Sequence, residues 1–179
     1  MSPLFPSPAA DFDHPLEILD GCHQRILRQC TLIDAIAARL ASHPADPEAR
    51  DAARAVVRFF DTAGAAHHRD EEDDLFPALV HYVPSLELNA TRALLARLRI
   101  DHANLDAAWR EMRGTLMALA LGGEPNLPIE AAQTFGAAYR RHIALEEAEL
   151  LPLARRVLDT RLVARLGERM ARRRGAQPQ

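Results

Sequence analysis

Lysine is absent from this 179-residue chain, and all 22 of its basic side chains are arginine. The substitution runs through the whole sequence, so it reads as a bias of the coding genome without functional weight. Aromatic residues make up only 5% and glycine contributes 8 positions, while Ala, Leu, Arg and Glu recur throughout. That balance, with 48% hydrophobic residues overall, favours helices over strands and predicts an all-α protein. No segment offers about 18 consecutive apolar residues, the length a membrane-spanning helix needs. The first 13 residues hold three prolines and no basic stretch leading into an apolar one, so no secretion signal is expected and cytoplasmic residence is. Cysteine is scarce too. Cys22 and Cys30 lie eight apart in one expected helix, about 12 Å along its axis, which is too far for a disulfide. The net charge of −3 offers no broad cationic surface for nucleic acid or anionic lipid. The locally basic residues 169–174 read as a solvated helix end.

Punctuation divides the chain into helices. Pro15 suits the first turn of a helix whose apolar positions Leu16, Leu19, Ile26, Leu27, Ile33, Ile36 and Leu40 keep helical spacing, ending near Ala41. The loop Ser42-His43-Pro44-Ala45-Asp46-Pro47 opens a second helix through Val56, Val57, Phe59 and Phe60 to about Leu79, with Pro77 distorting its last turn. A third runs from about Asn89 to Leu121, where Gly122-Gly123 breaks it, and a fourth from Pro128 to Leu158. Thr160 is expected to cap a short fifth helix outside the main bundle. Short connections predict an up-down-up-down antiparallel four-helix bundle over residues 14–158. An N-terminal arm (1–13) precedes it, and a C-terminal helix with a basic tail (159–179) follows.

The second and fourth helices repeat one pattern. Each reads His, three residues, Glu-Glu, two residues, Leu, a bulky apolar residue, then Pro ten positions after the His. One copy runs from His67 through Glu71 and Glu72 to Leu75-Phe76-Pro77, the other from His142 through Glu146 and Glu147 to Leu150-Leu151-Pro152. A lone charged run would be a solvated helix face, but the repetition in register argues against that here. At about 100° per residue, a glutamate four positions after a histidine lies about 40° round the helix and one turn along, so both can meet one metal site from one face. His68 projects to the other side of Glu71 from His67, which would let a bridging Glu71 be flanked by one histidine for each of two metals.

Counting from a common end of the bundle places His23 about 12 Å up and His67, His102 and Glu146 each about 18 Å up, with His142 one turn higher. Four helices thus converge on one level. His14 projects to the opposite side of its helix from His23 and reads as a surface residue.

These features resemble the hemerythrin-like, or HHE cation-binding, family of four-helix bundles, over about residues 15–158. The resemblance implies two iron ions, oxo- or hydroxo-bridged, with Glu71 and Glu146 bridging, His23 and His67 on one iron, and His102 and His142 on the other. The sequence departs from the family's oxygen carriers at Leu98, where a further histidine four residues before His102 would stand. His68 is the candidate replacement. The alternative has His68 pointing outward beside Glu72, with water or Tyr139 in the vacant position. Imidazole with carboxylate suits iron or manganese rather than tetrahedral structural zinc.

Tyr139, one turn before His142, is a candidate to contact a bound small molecule, or else a core residue. Trp109 and the two thiols read as packing. The implied function is reversible binding of dioxygen or a related small oxidant, nitric oxide or peroxide, for sensing, storage or delivery, by a monomer or homodimer. Two alternatives stay open: a diiron oxidase, peroxide-consuming or iron-donating stress protein, and a metal-stabilised signalling or partner-binding module. No glutamate is followed by His at the third position, the pattern of ferritin-like oxidases.

Overall fold

The computed structural model describes residues 12–43 and 46–176. The expected N-terminal arm falls almost wholly outside the described residues, as do Pro44 and Ala45 of the first loop. Among the described residues the chain forms five helices and no strand: α1 (Pro15–Leu40), α2 (residues 47–82), α3 (Leu88–Ala120), α4 (residues 129–157) and α5 (Thr160–Arg173).

Local chemistry explains most boundaries. Pro15 occupies the first turn of α1, where its missing N–H is no loss. Asp46 caps α2 by accepting from Glu48 N at 2.8 Å. Gly122 adopts φ +93° just beyond α3, a conformation that costs glycine nothing. The cap of α5 differs from expectation. It is Asp159, not Thr160, whose carboxylate accepts from Leu162 N at 2.8 Å, because the residue one position earlier has the reach to an orphan amide in the first turn.

The expected distortion at Pro77 is present, but it lies before the ring rather than in the last turn, and α2 continues to Tyr82. A π-helical segment, Asp70–Leu75, precedes the proline, and Phe76 N–H reaches back five residues to Glu71 O. In α4 the π-helical segment Glu146–Leu150 precedes Pro152, and Leu151 N–H reaches Glu146 O. A proline ring would clash with the carbonyl four residues earlier in a regular helix. One wide turn relieves that clash and lets the helix go on. Both wide turns start at or beside a glutamate of the repeat. A further π-helical turn, Phe60–Gly64, lies earlier in α2.

α1 packs on α2 and α4, and α3 completes the ring by packing on the same two helices. The apolar interior falls into two clusters. One gathers Ile26, Ile33, Phe60, Leu116 and Phe135. The other gathers Leu19, Leu75, Phe76, Leu79, Leu98 and Leu150. The polar residues buried in the core include His23, His67, His68, Glu71, His102, His142 and Glu146.

The C-terminal segment corrects the expectation of a solvated end. α5 packs against α1 and the second π-helical segment of α2, with Leu166 and Met170 in the second apolar cluster. Its Arg173 and Arg174 bind the buried Asp70, because five consecutive acids at Asp70–Asp74 present a counter-charge that water alone would otherwise have to meet. The approach on the other flank is closer still. A Cβ on Gly167 would stand 1.8 Å from the carbonyl oxygen of Phe12, so only glycine admits the crossing chain.

Candidate metal centre

Each of α1 to α4 delivers side chains to one level of the core. α1 brings His23; α2 brings His67, His68 and Glu71; α3 brings His102; α4 brings His142 and Glu146. Glu71 and Glu146 are both 0% exposed. Burying two carboxylates is costly unless cations or donors compensate, so their surroundings identify what the site is built for.

The imidazoles close in from all sides. His23 Nε2 stands 3.1 Å and His142 Nε2 3.0 Å from Glu146. His102 Nε2 lies between the two acids, 3.3 Å from Glu71 and 3.5 Å from Glu146. His67 Nε2 is 3.7 Å from Glu71. Despite these approaches, His23, His67 and His142 have no hydrogen-bond partner on either ring nitrogen. Nor have His102 Nε2 and all four oxygens of Glu71 and Glu146. Buried polar atoms are seldom left so. Donor atoms facing one another without hydrogen-bond geometry form a cradle for cations.

The core donors fall into two buried groups, within each of which the ligating atoms lie within 4.8 Å of one another: His23, His67, Glu71 and Glu146, and His68, His102 and His142; a third, partly exposed group joins His23 to Asp20 and Glu147. His68 thus turns inward rather than outward. Its ring stacks on His102 with centroids 4.2 Å apart, 13° from parallel, and only 9% of the residue is exposed. Leu98, where the oxygen carriers' further histidine would stand, is fully buried in the apolar cluster below.

Charge is distributed unevenly. Burial, reinforced by the negative Glu146, pushes Glu71 up to about 8. Glu146 also bears the cost of burial, but the imidazoles of His102, His142 and His23 hold it well below the usual carboxylate range. Burial opposes charge on His102, yet the two facing glutamates raise it to about 10. His67 is driven well below the ordinary imidazole range by burial, and burial lowers His68 too, with Asp106 partly offsetting it. Burial opposes charge on His23 as well, but Glu146 raises it above the ordinary imidazole value. Without a cation, the cluster therefore retains protons on Glu71 and His102, and His23 holds its own more tightly than a free imidazole.

Four carboxylates behind the histidines were not singled out from sequence. Glu72 lies 2.6 Å from His102 Nδ1, Asp106 3.2 Å from His68 Nδ1, Glu147 3.5 Å from His23 Nδ1 and Asp101 3.9 Å from His142 Nδ1. Hydrogen-bonded partners such as Glu72 and Asp106 fix the tautomer and ring orientation of a histidine, while Glu147 and Asp101 stand behind His23 and His142 as nearby charges. The signal for two of them lay in the repeat itself. In each Glu-Glu pair the first glutamate faces inward and the second backs a histidine of a neighbouring helix, Glu72 for His102 and Glu147 for His23.

Tyr139 is buried, with its ring against Phe60 at 5.4 Å and Phe135 at 5.1 Å, and burial raises its phenol above the ordinary value. Trp109 packs on Phe60 and donates from Nε1 to Asp61 at 3.2 Å. The thiols contribute no ligand: Cys22 meets Ala63 O at 3.9 Å, and burial lifts Cys22 to about 11 and Cys30 to about 12. His14 lies at the solvent-facing start of α1, its side chain 59% exposed. A cleft of about 210 Å³ between α3 and α4, flanked by Arg97, Asp101, Asn104 and Arg141, reaches His142 from solvent. No helix among the described residues is long and apolar enough to cross a membrane.

The sequence is similar to an uncharacterised protein of Haemophilus influenzae (strain ATCC 51907 / DSM 11121 / KW20 / Rd). The two are 28% identical over 174 residues, spanning 97% of this chain and 98% of the relative, so the likeness extends into α5. The model of the hemerythrin HHE cation-binding domain matches residues 14–154, a span that contains every member of the histidine and glutamate cradle. With its buried donors arranged around the two His-x-x-x-Glu motifs, the chain belongs to the hemerythrin HHE cation-binding domain family.

Proposed function

We propose that this chain is a non-haem diiron protein that reversibly binds dioxygen or a related small oxidant, nitric oxide or peroxide, for sensing, storage or delivery. In this reading His23 and His67 hold one iron, and His68, His102 and His142 hold the other. Glu71 and Glu146 lie between them, in a bundle over residues 14–158 whose helices run up, down, up, down. The arm (1–13) and the C-terminal helix and tail (159–179) flank it. The observation that carries the proposal is the division of five buried imidazoles into a pair and a triplet around two buried carboxylates whose oxygens lack hydrogen-bond partners.

When bound, such a pair of irons supplies a redox-active centre able to take up a small oxidant. The protein's own part is positional. Glu72 and Asp106 accept from the outer nitrogens of His102 and His68 and so present the Nε2 atoms inward. The two apolar clusters exclude water above and below. Tyr139, buried one helical turn before His142 in α4, is the candidate to donate a hydrogen bond to a small bound molecule. We place the protein in the cytoplasm, where its free thiols Cys22 and Cys30 remain reduced.

A second reading, an oxidant-consuming or iron-donating protein, draws on the cleft between α3 and α4 that runs in as far as the buried His142. Anaerobic reconstitution with ferrous iron, metal analysis, and optical spectra over cycles of air and vacuum separate the two. Two irons per chain with spectra that return on each cycle support reversible binding. Two irons with irreversible oxidation and continued oxidant consumption support the second reading. Uptake of fewer than two irons overturns both.

A further inference from the structure

The arginines of α5 meet the core at the turn that carries Glu71. Asp70, the preceding residue, is 0% exposed, and both its oxygens are taken by α5. Arg173 Nη1 and Arg174 Nη1 bind Oδ1, the latter at 3.2 Å, and Arg174 Nη2 binds Oδ2. One turn on, Arg169 Nη1 binds Asp74 Oδ1 at 2.8 Å and Arg173 Nη2 binds Asp74 Oδ2 at 2.7 Å. Arg173 therefore spans the π-helical segment, one guanidinium joining its first residue to its fifth. Two of the three arginine side chains are themselves mostly covered, Arg173 at 17% and Arg174 at 22% exposure, while Arg169 is largely exposed.

Three physical facts make this contact more than a surface ion pair. A π-helical turn has poorer backbone hydrogen bonding than an α-turn and is held open by its surroundings. Asp70, Glu72, Asp73 and Asp74 crowd four carboxylates into that turn, and they repel one another. Finally, the acids face separate sides: Glu71 turns to the imidazoles, Glu72 backs His102, and Asp70 and Asp74 bind α5. With α5 undocked, Asp70 and Asp74 lose their guanidinium partners, and nothing on that side holds Glu71 at its inward angle.

We infer that α5 is a cationic latch, in which Arg173 and Arg174 act as positioning residues for Glu71 by clamping Asp70. The latch completes the metal cradle from outside the four long helices, although the family's domain match stops at residue 154. The inference rests on the metal-binding reading above, and its test separates the two.

The full-length Arg173→Ala/Arg174→Ala variant is compared with wild type and with Arg165→Ala, which removes an exposed arginine from the same helix. In the metal-free proteins, amide hydrogen exchange at residues 71–76 is expected to quicken at least about tenfold in the double variant, with residues 30–40 of α1 unchanged. In proteins loaded with cobalt(II), extraction by a chelator is expected to quicken about tenfold or more, with a changed ligand-field spectrum. Arg173→Lys in the Arg174→Ala background should recover part of both. If the double variant does not fold, Arg174→Ala alone is read against the same wild type. Unchanged exchange at residues 71–76 overturns the latch. Failure of wild type to take up metal overturns the functional reading while leaving the exchange result to decide the latch.

Discussion

Loading the cradle should expel protons, and the number follows from the charge distribution in the metal-free site. Glu71 titrates at about 8 and His102 at about 10, so at pH 7 the first is roughly nine-tenths protonated and the second fully so, and a metal ion needs both bare. At least about two protons should therefore leave per loaded site, with His23, which burial opposes but Glu146 raises, adding to them, and affinity for cobalt(II) or manganese(II) should climb about a hundredfold or more per pH unit near pH 6 to 7. The same groups set the stability of the metal-free protein. Glu71 is raised from 4.5 and His102 from 6.5, and a raised folded value means that stability is present at low pH and lost as pH rises through it. The two losses share a sign and span about pH 5 to 10. At about 1.4 kcal/mol per pH unit for each titrating group, they amount to on the order of 10 kcal/mol before offsets, and Glu146, His67 and His68, whose values are lowered, work in the opposite sense at the acid end. Calorimetric titration of metal into protein in two buffers of different ionisation enthalpy counts the protons. Urea unfolding of metal-free protein at pH 6 and pH 9 tests the stability arm. Release of fewer than one proton, or a metal-free protein as stable at pH 9 as at pH 6, would refute the charge distribution.

Three substitutions probe separate parts of the structure. His68→Ala should remove one donor from the His68, His102 and His142 group and reduce the metal bound per chain or change its spectrum; identical stoichiometry and spectrum would mean His68 only packs on His102. Glu72→Gln weakens the acceptor behind His102 Nδ1, and metal affinity should fall about 10- to 100-fold while the apolar clusters, and hence far-ultraviolet circular dichroism, stay as they are. Gly167→Ala drives a methyl group into the Phe12 carbonyl, 1.8 Å from the ideal Cβ position, and should cost about 1–3 kcal/mol in urea unfolding; a neutral effect would show that the crossing chain yields freely.

The cradle was legible in the sequence because it is written in helical periodicity. His67 with Glu71 and His142 with Glu146 lie on one face of their own helices whatever the helices pack against, and the repeat in register made chance an unsatisfactory account. Counting residues from a common end brought His23 to within about one turn of His102, because the rise per residue of a helix is fixed. Helix boundaries followed from Pro15, Asp46 and Gly122 for similarly local reasons. Pro77 was harder: its clash with the preceding turn is certain from sequence, but whether the helix frays or widens depends on whether packing rewards its continuation. Here the buried Phe76 and Leu79 do so.

What the sequence by itself determined is therefore the all-helical fold and the set of side chains that share a helical face, since both depend on spacing along one chain. Only the tertiary structure decided the inward turn of His68 onto His102, the role of Glu72 and Glu147 behind histidines of other helices, and the docking of Arg173 and Arg174 on buried Asp70. Each joins residues from different helices, 30 or more positions apart. An arginine and an aspartate look alike in sequence whether they meet water or each other. The difference lies in the desolvation that packing imposes, and packing exists only once the helices have come together.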